Sequence, residues 1–570
     1  MLFKSSYPDI HVPPDLTLWQ WLFDAPSPAA GCCSSRGDSL PTREYINTTS
    51  NNNNNVRLTH AQVRDAAAAL SAALAHHPRH GRGLRPGDVV AIISPNAVTY
   101  PVCFHGVMRA GGVPAVSAPG ATETEMRHAL RTARARFVMC APGETLKVVR
   151  EAARKEGVPE ERVFWFADEE EEVEEEKGGR WCTGLSELVG EGKRVMEEEG
   201  MRAVGLPSGK TSAETTAFLC FSSGTTGLPK AVIISHANII AQCLQLNLAY
   251  IHSGMALVSG LVRSLVHCLV SNTSVAVVPR FTMPALLSAI STHRIAEVNL
   301  VPPILIRLAH DPTVGDYDLG CVERWATGAA PVSPEVLAQL ARRFPGTTGF
   351  KQGYGMTETT ACVTTHPPHL YGFEHGRSVG TLVAGTVMKV VNEDGVAVGV
   401  GERGEIRVKG PQITPGYFDN PAATAAAFDP DGFLRTGDEG SVAPDGQLTI
   451  HDRIKEMIKV KGAQVAPAEL EDLLLGHPCV ADAAVVGVPD DYAGERPFAF
   501  VVLRPGGGRV SAEEVMERLV QHVKDARARD KWLAGVRVVE AIPKSPSGKI
   551  LRRILRDEYK KSVEVSSAKL

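Results

Sequence analysis

Two short apolar runs of β type, Ala217–Phe221 and Ala231–Ile234, flank a segment of Ser, Thr and Gly that ends in Pro229–Lys230, so that Phe221–Val232 reads FSSGTTGLPKAV. A strand–loop–strand unit of this composition suits polyphosphate. Glycines let backbone N–H groups approach anionic oxygens, hydroxyls add donors, and the lysine supplies a mobile cation. The spacing is not the Walker pattern, in which Gly-Lys-Ser/Thr opens a helix. Gly205–Thr211, GLPSGKT, comes near that pattern but is one residue short and follows no apolar strand, and it reads as a surface linker.

A chain of 570 residues is too long for one ordinary core and implies two or more domains. With 44% hydrophobic and 22% charged residues and a net charge of −4, it has a globular composition and offers no electrostatic case for nucleic acid or an anionic membrane. No window approaches the roughly 18 uninterrupted apolar residues of a membrane span. The most apolar stretch, Met255–Val270, is broken by Arg263 and His267 and reads as a buried helix. The eleven cysteines lack metal-ligand spacing and Met1–Ile10 carries no apolar signal core, which together imply reduced thiols in an intracellular compartment. Ala568–Lys569–Leu570 is a close variant of the Ser-Lys-Leu address, so a peroxisomal import receptor is an expected partner and the peroxisome the expected location, with the cytoplasm as alternative.

Residues 27–55, rich in Pro, Ser and Asn, and Asp168–Lys177, with eight acidic residues in ten, read as low-complexity loops. Elsewhere β-type runs alternate with helical stretches: Val89–Ile93 with Tyr100–Arg109, Val275–Val278 with Pro284–His293, Val298–Val301 with Pro303–His310. This alternation implies mixed α/β layers with parallel sheet. After Gly380 short strands and turns take over (Val387–Val391, Gly404–Lys409, Leu448–Ile450), as in a compact β subdomain. Beyond Asp452 the chain reads as a separate small α+β unit, with helices at Pro467–Leu475 and Ser511–Ala526 and strands at Ala483–Val488, Phe498–Leu503 and Val536–Val539.

Five further segments stand downstream of the Gly/Thr loop in a fixed order: Thr327–Pro331 (TGAAP), Gln352–Thr359 (QGYGMTET), Thr436–Asp438 (TGD), Asp452–Lys461 (DRIKEMIKVK) and Pro543–Arg553 (PKSPSGKILRR). With the loop, this set resembles the signature of the adenylate-forming enzymes: acyl- and aryl-CoA synthetases, amino-acid adenylation domains and luciferase-type enzymes. The form closest to this chain is that of 4-coumarate–CoA ligase-like members. Pro8–Asp24, QGYGMTETT and Val460–Pro478 carry that likeness, and it covers the chain apart from the two low-complexity segments.

The resemblance implies an α/β fold. A large N-terminal AMP-binding domain, 1–452, would combine mixed α/β layers with a β-rich subdomain, and a small mobile α+β domain, 453–570, would follow. It implies that Ser222, Ser223, Gly224, Thr225, Thr226 and Lys230 hold the phosphates of ATP, that adenine lies against Gly328, Ala329 and Tyr354 beside Gln352 and Gly353, and that Thr357 binds the α-phosphate. Glu358 would hold Mg²⁺, a hard cation suited to a carboxylate and phosphate oxygens. Asp438 and Arg453 would take the ribose, and Lys455 would mark a hinge. Lys549 would contact carboxylate and phosphate during adenylation. A rotation of the small domain would then present Lys459, Gly462 and Gln464 for attack by the thiol of coenzyme A.

One segment departs from the family pattern. A Leu-Pro-x-x-His-x-aromatic-Gly stretch is expected after the phosphate loop, whereas Ile251–Val262 reads IHSGMALVSGLV, shortened and without the Pro, the aromatic or a His in context. The expected activity is ATP- and Mg²⁺-dependent ligation of an aryl-propenoic, aryl-acetic or fatty acid to CoA, in secondary metabolism. The alternatives are a different thiol acceptor, or a nucleotide-binding pseudo-enzyme with a damaged acyl site.

Overall fold

The computed structural model of the protein describes residues 1–25, 43–48, 56–76, 83–168, 182–222, 229–250, 255–257, 260–328, 332, 334–347, 349–461, 463–490, 492–504, 511–544 and 549–567. Val89–Ile93, buried at every position, is the centre of a seven-stranded sheet. Val113–Ser117 and Phe137–Cys140 flank it in parallel, and Thr216–Ser222 follows parallel to Val113–Ser117. The edge strand Lys230–Ser235 returns antiparallel to Thr216–Ser222, pairing Lys230 with Ser222, so the phosphate-type loop joins two sheet neighbours. β-Branched runs buried on both faces are what a helix-covered parallel sheet requires.

A nine-stranded sheet runs Thr381–Leu382, Thr364–Thr365, Gly349–Tyr354, Arg324–Thr327, Glu297–Asn299, Met255–Leu257, Ser274–Val277, Glu44–Asn47 and Arg57–Thr59. Helices His60–His76 and Tyr100–Arg109 share one hydrophobic core with both large sheets, from Leu70 and Phe104 to Phe218 in one and Tyr45 in the other. A five-stranded antiparallel sheet follows, formed by Phe3–Lys4, Val387–Val391, Gly404–Lys409, Leu434–Val442 and Leu448–Arg453. The last unit has its own sheet and core. Val480–Asp490 and Gly494–Leu503 pair antiparallel, and helices Pro467–Leu475 and Ala512–Ala526 cover them with Leu470, Leu519 and Val523.

Three sequence expectations need correction. The low-complexity span 27–55 contains the strand Glu44–Asn47, whose Tyr45 and Ile46 are buried, because its short apolar core is hidden among polar neighbours. Asp168 is no solvated charge: its carboxylate accepts from Asn47 Nδ2 and from the Thr99 amide and hydroxyl at 3.0–3.1 Å. Met255–Val270 is not one helix, since Met255–Leu257 is a parallel strand and helix follows only from Leu261. Thr436–Asp438 lies inside the strand Leu434–Val442, with Gly437 at φ +70° supplying the irregularity. Among the described residues no helix is long and apolar enough to cross a membrane.

Candidate active site

Gly349–Tyr354 runs parallel to Arg324–Thr327 and delivers Tyr354 at its end. The Tyr354 hydroxyl donates to Asp438 Oδ2 at 2.7 Å. Arg453, cross-strand partner of Asp438, places Nε 3.3 Å from the other carboxylate oxygen. Burial pushes the Asp438 carboxyl upward, opposed by Arg453, by the tyrosine hydrogen bond and by Lys549. Burial also raises Tyr354, and the Asp438 charge adds to it. The predicted ribose pair and the predicted adenine tyrosine therefore form one polar group across three strands.

The chain then turns sharply. A Cβ on Gly355 would lie 1.6 Å from the Ala361 carbonyl oxygen, so no larger residue fits that approach. Thr357–Thr359 forms a single 3₁₀ turn held from three sides. The Thr414 amide donates to the Glu358 carbonyl at 2.9 Å, the Thr360 hydroxyl donates to the Gln412 carbonyl at 2.6 Å, and the Cys362 amide donates to Gln242 Oε1 at 2.7 Å. Gln242 belongs to helix His236–Ala249, whose N-terminus Ser235 and Asn238 close as a reciprocal capping box. The helix after the phosphate-type loop thus fixes the turn that carries Thr357 and Glu358.

Glu358 Oε1 accepts from the Tyr417 hydroxyl at 2.9 Å, and Lys230 Nζ lies 4.9 Å from the centre of the same tyrosine ring. Tyr417 links the lysine of the loop to the carboxylate of the turn. Lys549, reached from the far end of the chain, closes the arrangement: burial lowers its ammonium, aided by Arg453 and opposed by Asp438 and Glu358.

The other predicted residues are placed as follows. Ser222 sits at the strand end opposite Lys230, while Ser223, Gly224, Thr225, Thr226, Ala329 and Gly462 lie outside the described residues. Gly328 approaches Gly353, whose carbonyl oxygen would be 3.7 Å from an added Cβ. Gln352 is buried, with Nε2 directed to the Ser378 carbonyl at 3.4 Å. Lys455 and Lys459 are exposed, as is Gln464, which donates to Glu393 Oε1 at 2.6 Å. The structure brings together Lys230, Tyr354, Glu358, Asp438, Arg453 and Lys549, while Lys459 and Gln464 are exposed and, among the described residues, share none of that group's hydrogen bonds or ion pairs. Sequence reasoning missed Tyr417 and Gln242. Gly416–Tyr417 after Thr414–Pro415 offered the one signal for the first, and nothing local marks the second.

The geometry is matched by kinship. The model of the AMP-binding enzyme family matches residues 40–418, and that of the AMP-binding enzyme C-terminal domain matches 469–549. A 4-coumarate–CoA ligase of Oryza sativa subsp. japonica is 34% identical over 97% of this chain and 94% of its own length. A putative acyl-coenzyme A synthetase of Emericella nidulans is 35% identical over 89% and 91%. Among solved structures, the anthranilate CoA ligase AuaEII in complex with anthranoyl-AMP shares the fold, with a TM-score of 0.80 over 97% of this chain and 99% of that one at 21% identity. The chain belongs to the AMP-binding enzyme family, as an adenylate-forming ligase of the acid–CoA type.

Proposed function

We propose that this protein activates a carboxylic acid with ATP and transfers the acyl group to coenzyme A. The observation that carries the reading is the convergence of Lys549 with Glu358, Asp438 and Arg453, which joins the C-terminal segment to the nucleotide side of the site. In the first half-reaction a carboxylate oxygen attacks the α-phosphorus and pyrophosphate leaves. Lys549 holds the incoming carboxylate and the α-phosphate, Thr357 donates to that phosphate, and Lys230 with the 222–226 loop holds the triphosphate. Most of the acceleration comes from positioning and charge neutralisation. Asp438 and Arg453 take the ribose, and Tyr354 packs on adenine against Gly328–Ala329.

Glu358 fits Mg²⁺ as a single carboxylate ligand, since this ion keeps waters and phosphate oxygens around it and needs no protein cage. When bound, the ion screens the phosphate charge. In the second half-reaction the thiol attacks the acyl-adenylate carbonyl and AMP leaves. Rotation about Lys455, between domains 1–452 and 453–570, exchanges Lys549 for the exposed face of Lys459 and Gln464. Ala568–Lys569–Leu570 supports a peroxisomal location, a reading that import of a reporter carrying the last ten residues tests.

Incubation with ATP, CoA and an acid, followed by mass spectrometry, tests the reaction. Equal amounts of AMP and acyl-CoA are expected. Acyl-AMP that CoA never discharges would point to another thiol acceptor, and ADP as product would refute the adenylate route.

A further inference from the structure

Beside the site lies a group of charges that the reaction above does not use. Glu297, buried with 3% of its surface exposed, faces Lys351 Nζ at 2.9 Å and Arg324 Nε at 3.6 Å, and it also pairs with Arg263. Lys351 and Arg324 are themselves buried, at 2% and 5% exposure. Arg324 has a second carboxylate partner in Glu323 at the surface. Arg263, Arg324 and Lys351 therefore share Glu297 as a buried carboxylate. The Tyr250 ring stands against both remaining cations, with Lys351 Nζ 3.9 Å and Arg263 Cζ 4.9 Å from its centre. Arg263 Nε is buried without an acceptor among the described residues. Burial pushes the Lys351 ammonium down to about 8, against the pull of Glu297. Two cations that lean on one buried carboxylate are favoured by a further anion beside them.

The position of this group gives it a use. Ala326 pairs in parallel with Lys351, and Thr327 with Gln352. By strand alternation Lys351 and Gly353 face one side of the sheet, as do Arg324, Ala326 and Gly328. On that side Glu297, Arg324 and Lys351 are followed along the strands by Ala326, Gly328 and Gly353. The chain thus offers a charged end and then a floor without bulk leading to Tyr354. We propose that the acid activated here carries a second carboxylate, and that Lys351 and Arg263 bind it at the end of the acyl site remote from ATP. The proposal rests on the acid-activating reading and names its substrate class. Each cation is a specificity residue that touches the remote carboxylate and takes no part in the bond changes at phosphorus.

Initial rates of acid-dependent ATP–pyrophosphate exchange on the full chain provide the test, using α,ω-diacids of three to eight carbons, their monoacids and their ω-amino acids. For at least one chain length the diacid is expected to exceed the monoacid by tenfold or more in kcat/KM, and the ω-amino acid to be the poorest. Lys351→Met and Arg263→Met should each reverse the diacid preference while leaving the KM for ATP within twofold. Monoacids preferred at every length, or a preference that both variants leave unmoved, would overturn the proposal. The wild-type order decides the matter if a variant does not fold. Silence with all acids, while ATP still binds, would refute the activating reading itself, an outcome distinct from exchange confined to monoacids.

Discussion

The Tyr354 hydroxyl donates to Asp438 Oδ2 at 2.7 Å, while Arg453 Nε lies 3.3 Å from Oδ1 of the same carboxylate. Both oxygens are thereby fixed without a nucleotide, so that in the proposed ribose site the hydroxyls would meet acceptors that need no reorientation. Asp438→Asn is expected to raise the KM for ATP by about tenfold or more, as loss of a charged hydrogen-bond acceptor does. Tyr354→Phe should raise it about fivefold, the effect of roughly 1 kcal/mol. Equal KM values for both variants and wild type would remove Asp438 from the ribose site.

Lys549→Ala is expected to reduce pyrophosphate exchange by at least about a hundredfold, as removal of a preorganised transition-state donor does, yet to spare thiolation of supplied acyl-AMP. Equal loss of both half-reactions would contradict the two-conformation account. Because burial depresses the Lys549 ammonium, the exchange rate should fall as pH rises through a value below that of an ordinary lysine. Lys549→Arg, which stays protonated, should lose that alkaline limb whatever its residual rate.

Tyr417 orders the carboxylate assigned to Mg²⁺ through a 2.9 Å hydrogen bond. Tyr417→Phe should raise the Mg²⁺ concentration for half-maximal exchange several-fold, with little change in the KM of the acid. Titration with Mg²⁺ at saturating ATP reads this, and an unchanged midpoint would detach Tyr417 from the metal function.

Asp472, on helix Pro467–Leu475, is pushed up to about 7 by burial first, then by Glu471, Glu335 and Asp452, with Arg527 opposing. Between pH of about 4 and 7 the folded protein keeps a proton that the unfolded chain has released, so this group makes stability fall as pH rises. Asp472→Asn should therefore raise the melting temperature by a few degrees at pH 8 and have a shrinking effect toward pH 4. A shift of equal size at both pH values would show that the carboxyl titrates normally.

The sequence was legible where the determinant is local. Val89–Ile93 and Tyr100–Arg109 fall where expected, because a fully buried β-branched run and a helix with Pro near its start leave little choice of state. The motif residues were legible because each motif is short and contiguous, so Tyr354, Asp438, Arg453 and Lys549 could be named singly before their convergence was known. The strand Leu434–Val442 carries no clear local signal because Gly437 punctuates it, and the ladder with Leu448–Arg453 overrides that local preference. The charge group on Glu297 was invisible, since Arg263, Arg324 and Lys351 come from three separate segments and meet only through sheet order. Tyr417 was missed for the same reason: its partners Lys230 and Glu358 are distant in sequence.

The most direct measurement of the central claim is the exchange of labelled pyrophosphate into ATP by the purified full chain, with and without acid, over aryl, fatty and dicarboxylic acids. The account predicts exchange that requires an acid, favours one chemical class and is lost in Lys549→Ala. ATP binding by calorimetry with no exchange for any acid would contradict it and identify a protein that holds nucleotide without activating a carboxylate.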